Sequence, residues 1–161
     1  MHQVTPAHIR ITAQQAKIKA EAYCAYQERA PKDVRDKLRQ WGLATHDTET
    51  IVAELTATGF LNEERFAHAY ASGKLRMNGW GRLKIKQGLL HKAIPSALIR
   101  AALTSLDETT YRDKLLNLLR VKAATERERH PQKRKAKLAR YAAGKGFEHE
   151  LIFELLNTNE L

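Results

Sequence analysis

Residues 59–81 read GFLNEERFAHAYASGKLRMNGWG. The stretch opens as a helix opens. A stop glycine, Gly59, is followed by the apolar pair Phe60-Leu61, then Asn62 as a cap. Glu63 and Glu64 then stand in the first turn, where negative charge suits the helix dipole. Phe66, Tyr70, Gly73 and Met77 recur at helical spacing and predict one buried face over 62–77. The stretch closes on Gly79-Trp80-Gly81. These glycines do not form a phosphate loop: no strand precedes them, and no Gly-x-x-x-x-Gly-Lys-Ser/Thr pattern follows. They read as a joint between two helices, with Trp80 filling the junction.

Working outward, the same punctuation covers the chain. Pro6, Pro31, Pro95 and Pro131 fit helix starts, where a missing N–H costs nothing. Gly42, Gly59 and Gly146 each end an apolar-periodic run, as glycines beyond helix C-termini do. Thr12-x-x-Gln15 reads as a capping box. No segment alternates as a strand with hairpin turns. The expected helices are 12–29, 32–41, 48–58, 62–77, 80–92, 95–106, 108–128, 131–144 and 148–157, and the fold class is all-α. Tyr111, Leu115, Leu118 and Leu119 supply the buried face of the seventh.

Helices in threes prompt a search for repeats. VRDKLRQWGL (34–43), IKQGLLHKAI (85–94) and LARYAAGKGF (138–147) superpose. Each has an apolar start (Val34, Ile85, Leu138) and an apolar or small residue four later (Leu38, Leu89, Ala142). Each closes on a small residue followed by an apolar one. A third helix follows, carrying Ile51-Val52, Leu98-Ile99 or Leu151-Ile152. The first copy is expected to have a longer turn here, ATHDTET. The organisation is then a loose tail (1–11) and three tandem three-helix repeats, 12–60, 61–106 and 107–161. Serial packing of such units predicts an elongated, curved helical array with a long surface and no deep pocket.

Charge is unevenly spread over the 161 residues, whose formal net charge is +10. Residues 16–60 balance seven basic groups against seven acidic ones. Residues 61–106 hold eight basic groups (Arg65, Lys74, Arg76, Arg82, Lys84, Lys86, Lys92, Arg100) against Glu63 and Glu64 alone. A second cluster lies in RERERHPQKRKAKLAR, with Lys133, Arg134, Lys135 and Lys137 around Leu138. Such clusters point to a polyanionic partner. The candidate contact residues are Arg65, Lys74, Arg76, Arg82, Lys84, Lys86, Lys133, Arg134 and Lys137. Lys84 and Lys137 hold matching repeat positions. A solvated helix face is the plain alternative for any one of them.

Other chemistry finds little support. Cys24 has no second cysteine to pair with and is expected in the core. Glu64 and His68 have a chelating spacing but no second pair, so no metal is assigned and no cofactor is expected. No nucleophile motif or convergent carboxylate pair is present, which argues against an enzyme. Trp41, Tyr70 and Trp80 are candidate base-stacking rings, with core packing preferred. No apolar run reaches the roughly 18 residues of a membrane span. The first residues lack a secretory pattern, so a cytoplasmic protein is expected; it is read as a monomer.

The segments ERAPKDVRDKLRQWGL, GFLNEERFAHAYASGKLRMNGWGRLKIKQGLLHKAI and KLARYAAGKGF resemble the RecX regulatory proteins of bacteria. The middle segment is the most specific. It carries Gly59, Phe60-Leu61, Asn62, Glu63-Glu64, Arg65-Phe66-Ala67, Tyr70, Lys74, Arg76, Gly79-Trp80-Gly81 and the basic run from Arg82 to Ile94. It departs from the family pattern at Gly88, where an acid is common, and at Ala93, where glycine is usual. The resemblance implies an all-helical regulator of the RecA recombinase in homologous recombination and the SOS response. Such a protein lodges in the groove of the RecA filament on single-stranded DNA. It inhibits strand exchange, ATP hydrolysis and co-protease activity. RecA and single-stranded DNA are the implied partners, with double-stranded DNA secondary. The competing reading is a sequence-independent DNA-binding helical module that needs no RecA. Arg76, Arg82, Lys84 and Lys86 are expected on the partner-facing surface. Reversing Arg82, Lys84 and Lys86 together is expected to weaken inhibition.

Overall fold

The computed structural model describes residues 10–158 and 161. The described residues form helices α1 (Ala13–Tyr26), α2 (Pro31–Gln40), α3 (Thr45–Ala57), α4 (Glu63–Asn78), α5 (Arg82–His91), α6 (Ser96–Thr104), α7 (Glu108–Thr125), α8 (Pro131–Gly144) and α9 (His149–Asn157), and no strand. Two compact units are distinguished, one ending at Glu63 and the other beginning at Glu64. Pro6 and nearly all of the expected tail lie outside the described residues, but Ile11 packs on the core of the first unit.

In the first unit α1, α2 and α3 pack pairwise. Ala16, Ala20 and Cys24 give α1 a face of small residues, so its backbone lies close to Val34, Leu38, Ile51, Val52 and Leu55. Thr12 and Gln15 form the expected capping box, with reciprocal bonds of 3.2 and 3.0 Å. Pro31 opens α2, and Asp33 accepts from the Ala30 N–H at 3.1 Å. Arg35 grips Glu49 through two bonds, tying α2 to α3 at the surface.

In the second unit α5 packs on α6, and α7, α8 and α9 pack on one another. The buried face of α4 is Phe66, Ala67, Ala71 and Leu75. Met77, expected on that face, is 85 % exposed. The buried stripe runs along Ala67, Ala71 and Leu75, four apart, with Phe66 at its edge; Met77, two residues beyond Leu75, lies about 200° further round the helix and so off the stripe. Tyr70 lies half-buried across Gly88; a Cβ there would fall 2.1 Å from the Tyr70 hydroxyl. A side chain at this position, where the family pattern is departed from, would displace the Tyr70 ring.

The three superposed segments share their local construction. Val34, Ile85 and Leu138 are buried, as are Leu38, Leu89 and Ala142. Each segment ends in the same two-bond cap. Gly42, Ala93 and Gly146 donate to Arg39, Leu90 and Ala143, and Leu43, Ile94 and Phe147 donate to Leu38, Leu89 and Ala142. This cap needs a left-handed residue at its centre. Gly42 (φ 87°) and Gly146 (φ 96°) supply it without cost, whereas Ala93 adopts φ 57° with a Cβ. The third helix follows at the same interval each time, starting at Thr45, Ser96 and His149. The longer turn expected in the first copy is therefore absent. Thr48, fully buried, takes the place that Ile99 and Ile152 hold in the other two. A polar residue at that core position hides the first turn of α3 from any apolar count.

Candidate partner-binding face

The joint is where the sequence placed it, between α4 and α5. Gly79 takes φ 65° and turns the chain out of α4. Trp80 follows, half-buried, with the ammonium groups of Lys74 and Lys84 each 4.7 Å from its ring centre. Lys74 also lies 5.4 Å from the Tyr70 ring. Two cations on one indole ring hold that ring and are held by it. Gly81, buried, caps α5 and meets the turn after α8 backbone to backbone. Its N–H donates to Lys145 O at 2.9 Å, and Leu83 N–H donates to Gly146 O at 3.0 Å.

Arg82 faces inward, contrary to the outward position expected for it. Its guanidinium lies 3.8 Å from the Tyr111 ring centre and reaches Glu148 at 2.9 Å and Glu108 at 2.5 Å. The side chain is only 20 % exposed. The Arg82 N–H donates to the Tyr111 hydroxyl at 3.0 Å, and that hydroxyl donates to Glu148. Burial, and next its donation to Glu148, push the Tyr111 phenol well above its ordinary value. Arg82 therefore staples the joint to α7 and to the start of α9 rather than offering charge to a partner.

The other expected contact residues divide in the same way. Arg76 is exposed and bonds to Ser72 on its own helix, and Lys114 donates to its carbonyl at 3.3 Å. Arg65 is exposed on the first turn of α4, and Lys86 is exposed on α5. Lys133 is exposed at the start of α8. Arg134 instead reaches back to cap α7, donating to Glu126 O at 2.9 Å and Ala123 O at 2.7 Å. Lys137 stands 3.5 Å from Glu128 and 3.7 Å from Glu126. The Glu128 N–H and then Lys137 hold the Glu126 carboxyl below its ordinary value. Lys84 and Lys137, matched in the repeat, thus have different surroundings. The outward basic set is Arg65, Lys74, Arg76, Lys84, Lys86 and Lys133.

Sequence reasoning did not find Tyr111, Glu108 and Glu148 as partners of Arg82. The pairings run 26 to 66 residues along the chain, and both acids look like ordinary first-turn charges. Among the described residues no group of three or more His, Cys, Asp or Glu side chains could hold a metal, and no helix is long and apolar enough to cross a membrane. His68 Nδ1 lies 3.0 Å from the Ser105 hydroxyl.

The fold and these contacts define an all-helical protein whose second unit is tied together by turn-to-turn hydrogen bonds and ion pairs. Comparison with known proteins makes the assignment specific. Residues 62–103 match the model of the second three-helix domain of RecX, and residues 110–156 that of the third. A Regulatory protein RecX of Pseudomonas fluorescens is 30% identical over 144 residues, covering 85% of this chain and 86% of the relative. One from Clostridium acetobutylicum is 29% identical over 145 residues, covering 88% and 67%. The crystal structure of RecX from Lactobacillus salivarius shares the fold at a TM-score of 0.80 with 22% identity, over 89% of this chain and 94% of that one. The chain belongs to the RecX family of regulatory proteins.

Proposed function

We propose that this protein modulates the RecA recombinase, binding the groove of the RecA filament on single-stranded DNA and inhibiting ATP hydrolysis, strand exchange and co-protease activity. Family membership supports the reading, and the observation that carries it on this chain is the outward basic set around the Trp80 joint. From Arg65 through Leu106 there is no acidic residue, while Lys74, Arg76, Lys84 and Lys86 fall within thirteen positions. Such a face suits acidic protein surfaces and DNA phosphates alike. Several three-helix domains in one chain offer repeated weak contacts to a polymer of repeating protomers, and linked contacts add through effective concentration. Filling the groove excludes an incoming strand and restrains ATP-driven subunit motion.

The test reverses Lys74, Lys84 and Lys86 to Glu and leaves Arg82 alone, since a glutamate at 82 would face Glu108 and Glu148. The triple variant should keep its melting temperature within a few degrees and lose most of its inhibition of RecA strand exchange. Full inhibition by a folded triple variant removes the joint from the binding face. The net charge also favours a second reading, plain DNA binding without RecA. That reading requires tight binding to naked DNA, with log K falling by about 0.9 per duplex phosphate neutralised as log salt rises.

A further inference from the structure

Helices α5 and α6 leave a crease on their outer side. Lys86 and Leu90, four apart on α5, face Ser96, Ile99, Arg100 and Leu103 of α6 around a cavity of about 310 Å³. That volume is at the small end of ligand-sized clefts. Its floor is aliphatic. Ile99 is 2% exposed and Leu103 half-buried, while Leu90 leaves 51% of its surface in water at the rim. Lys86 and Arg100 are both exposed, and neither has a carboxylate partner among the described residues. Neither α5 nor α6 carries a single acidic residue.

The chemistry of the occupant follows. Two cations beside an aliphatic strip call for acidic groups flanking an apolar anchor. Nucleic acid would meet the cations but leave Leu90, Ile99 and Leu103 wet, and the crease has no ring on which a base could stack. A peptide satisfies both parts: a leucine-like side chain enters between Leu90 and Leu103, and Asp or Glu one helical turn away reaches Lys86 and Arg100. We propose that the α5–α6 crease docks an acidic peptide segment with an aliphatic anchor, presented by a partner protein. The proposal deepens the reading above and rests on it only for the partner's identity.

The test uses the full chain and three fluorescein-labelled probes. One is a twelve-residue peptide with leucine at every third or fourth position among glutamates. The second replaces its leucines with serine, and the third is a twelve-residue oligothymidylate. Binding is followed by anisotropy and mapped on amide resonances. The leucine peptide should bind, shift the amides of α5 and α6, and exceed the serine peptide at least about tenfold. Lys86→Glu with Arg100→Glu should weaken it at least about tenfold, and Leu90→Ser several-fold. Lys32→Glu with Arg39→Glu, an equal change of charge at exposed positions of α2, should leave it within about twofold. The proposal is overturned if the serine peptide or the oligonucleotide binds the crease as tightly, if Leu90→Ser changes nothing, or if no probe binds there. The readout is peptide binding, so it stands apart from any effect on RecA. A chain that leaves RecA untouched would still bind the leucine peptide.

Discussion

Substituting Gly81 with alanine tests a close approach of backbone to backbone in the second unit. A Cβ on Gly81 would lie 2.4 Å from Gly146 C, Gly146 O and Phe147 N, where ordinary contact begins near 3.4 Å. All three atoms are backbone, so no side chain can swing aside, and the joint must open by about 1 Å. At that separation the bonds from Gly81 N–H to Lys145 O (2.9 Å) and from Leu83 N–H to Gly146 O (3.0 Å) are lost. The Arg82 N–H bond to Tyr111 is stretched with them. At about 1 kcal/mol for each bond, the loss is about 2–3 kcal/mol. For a chain of this size that lowers the melting temperature of the second unit by about 4–12 °C. The backbone at Gly81 (φ −82°, ψ 171°) suits alanine, so conformational strain contributes nothing. Gly73→Ala is the control. It lies in α4 with no atom within 4 Å of the added Cβ, and it should gain about 0.5–1 kcal/mol. Thermal unfolding by circular dichroism, with amide exchange at Gly81 and Leu83, measures both. A Gly81→Ala protein within about 0.5 kcal/mol of wild type, with those two amides still protected, would refute the reasoning.

Three further outcomes follow from particular residues. Ala93→Gly relieves the one left-handed non-glycine residue among those described and should stabilise the protein by about 0.5–1 kcal/mol in urea unfolding; a loss of stability would mean that the cap does not strain Ala93. Thr48→Val puts an apolar group where Ile99 and Ile152 stand in the other copies, and removes a buried hydroxyl that has no hydrogen-bond partner. It should gain about 1 kcal/mol, checked by the same measurement. Asp107 caps α7 through the Thr110 N–H and hydroxyl, and these bonds hold its carboxyl below its ordinary value. A depressed carboxyl stabilises the fold above its unfolded pKa, about 3.9, and loses that contribution as pH falls through the lower folded value. Wild type should therefore lose stability relative to Asp107→Asn below pH 4, and the difference should be flat above pH 5; a constant difference across this range would remove Asp107 from the acid response.

The helices were legible because their punctuation is local. Pro31 and Pro131 open α2 and α8, and Gly42, Gly59 and Gly146 take the left-handed turns the pattern implied. The joint at Gly79-Trp80-Gly81 was legible for the same reason. The start of α3 was not, because Thr48 breaks the apolar period in a place the fold nevertheless buries. Met77 misled in the opposite sense, an apolar residue left in water at the end of α4. The outward basic set was half legible. Charge counting found the segment, but it cannot tell a cation facing solvent from one facing a carboxylate. Arg82 and Arg134 are equal to Lys86 and Lys133 in sequence. They differ only through Glu108, Glu148, Ala123 and Glu126, whose positions depend on the packing of α7, α8 and α9.

The central claim, action on a RecA filament rather than competition for DNA, is most directly tested by titrating the protein into RecA assembled on single-stranded DNA at near-physiological salt while following ATP hydrolysis. The account predicts a fall in hydrolysis at protein concentrations well below that of RecA. An unchanged rate until the protein exceeds the available DNA sites would contradict it and leave plain DNA binding as the activity.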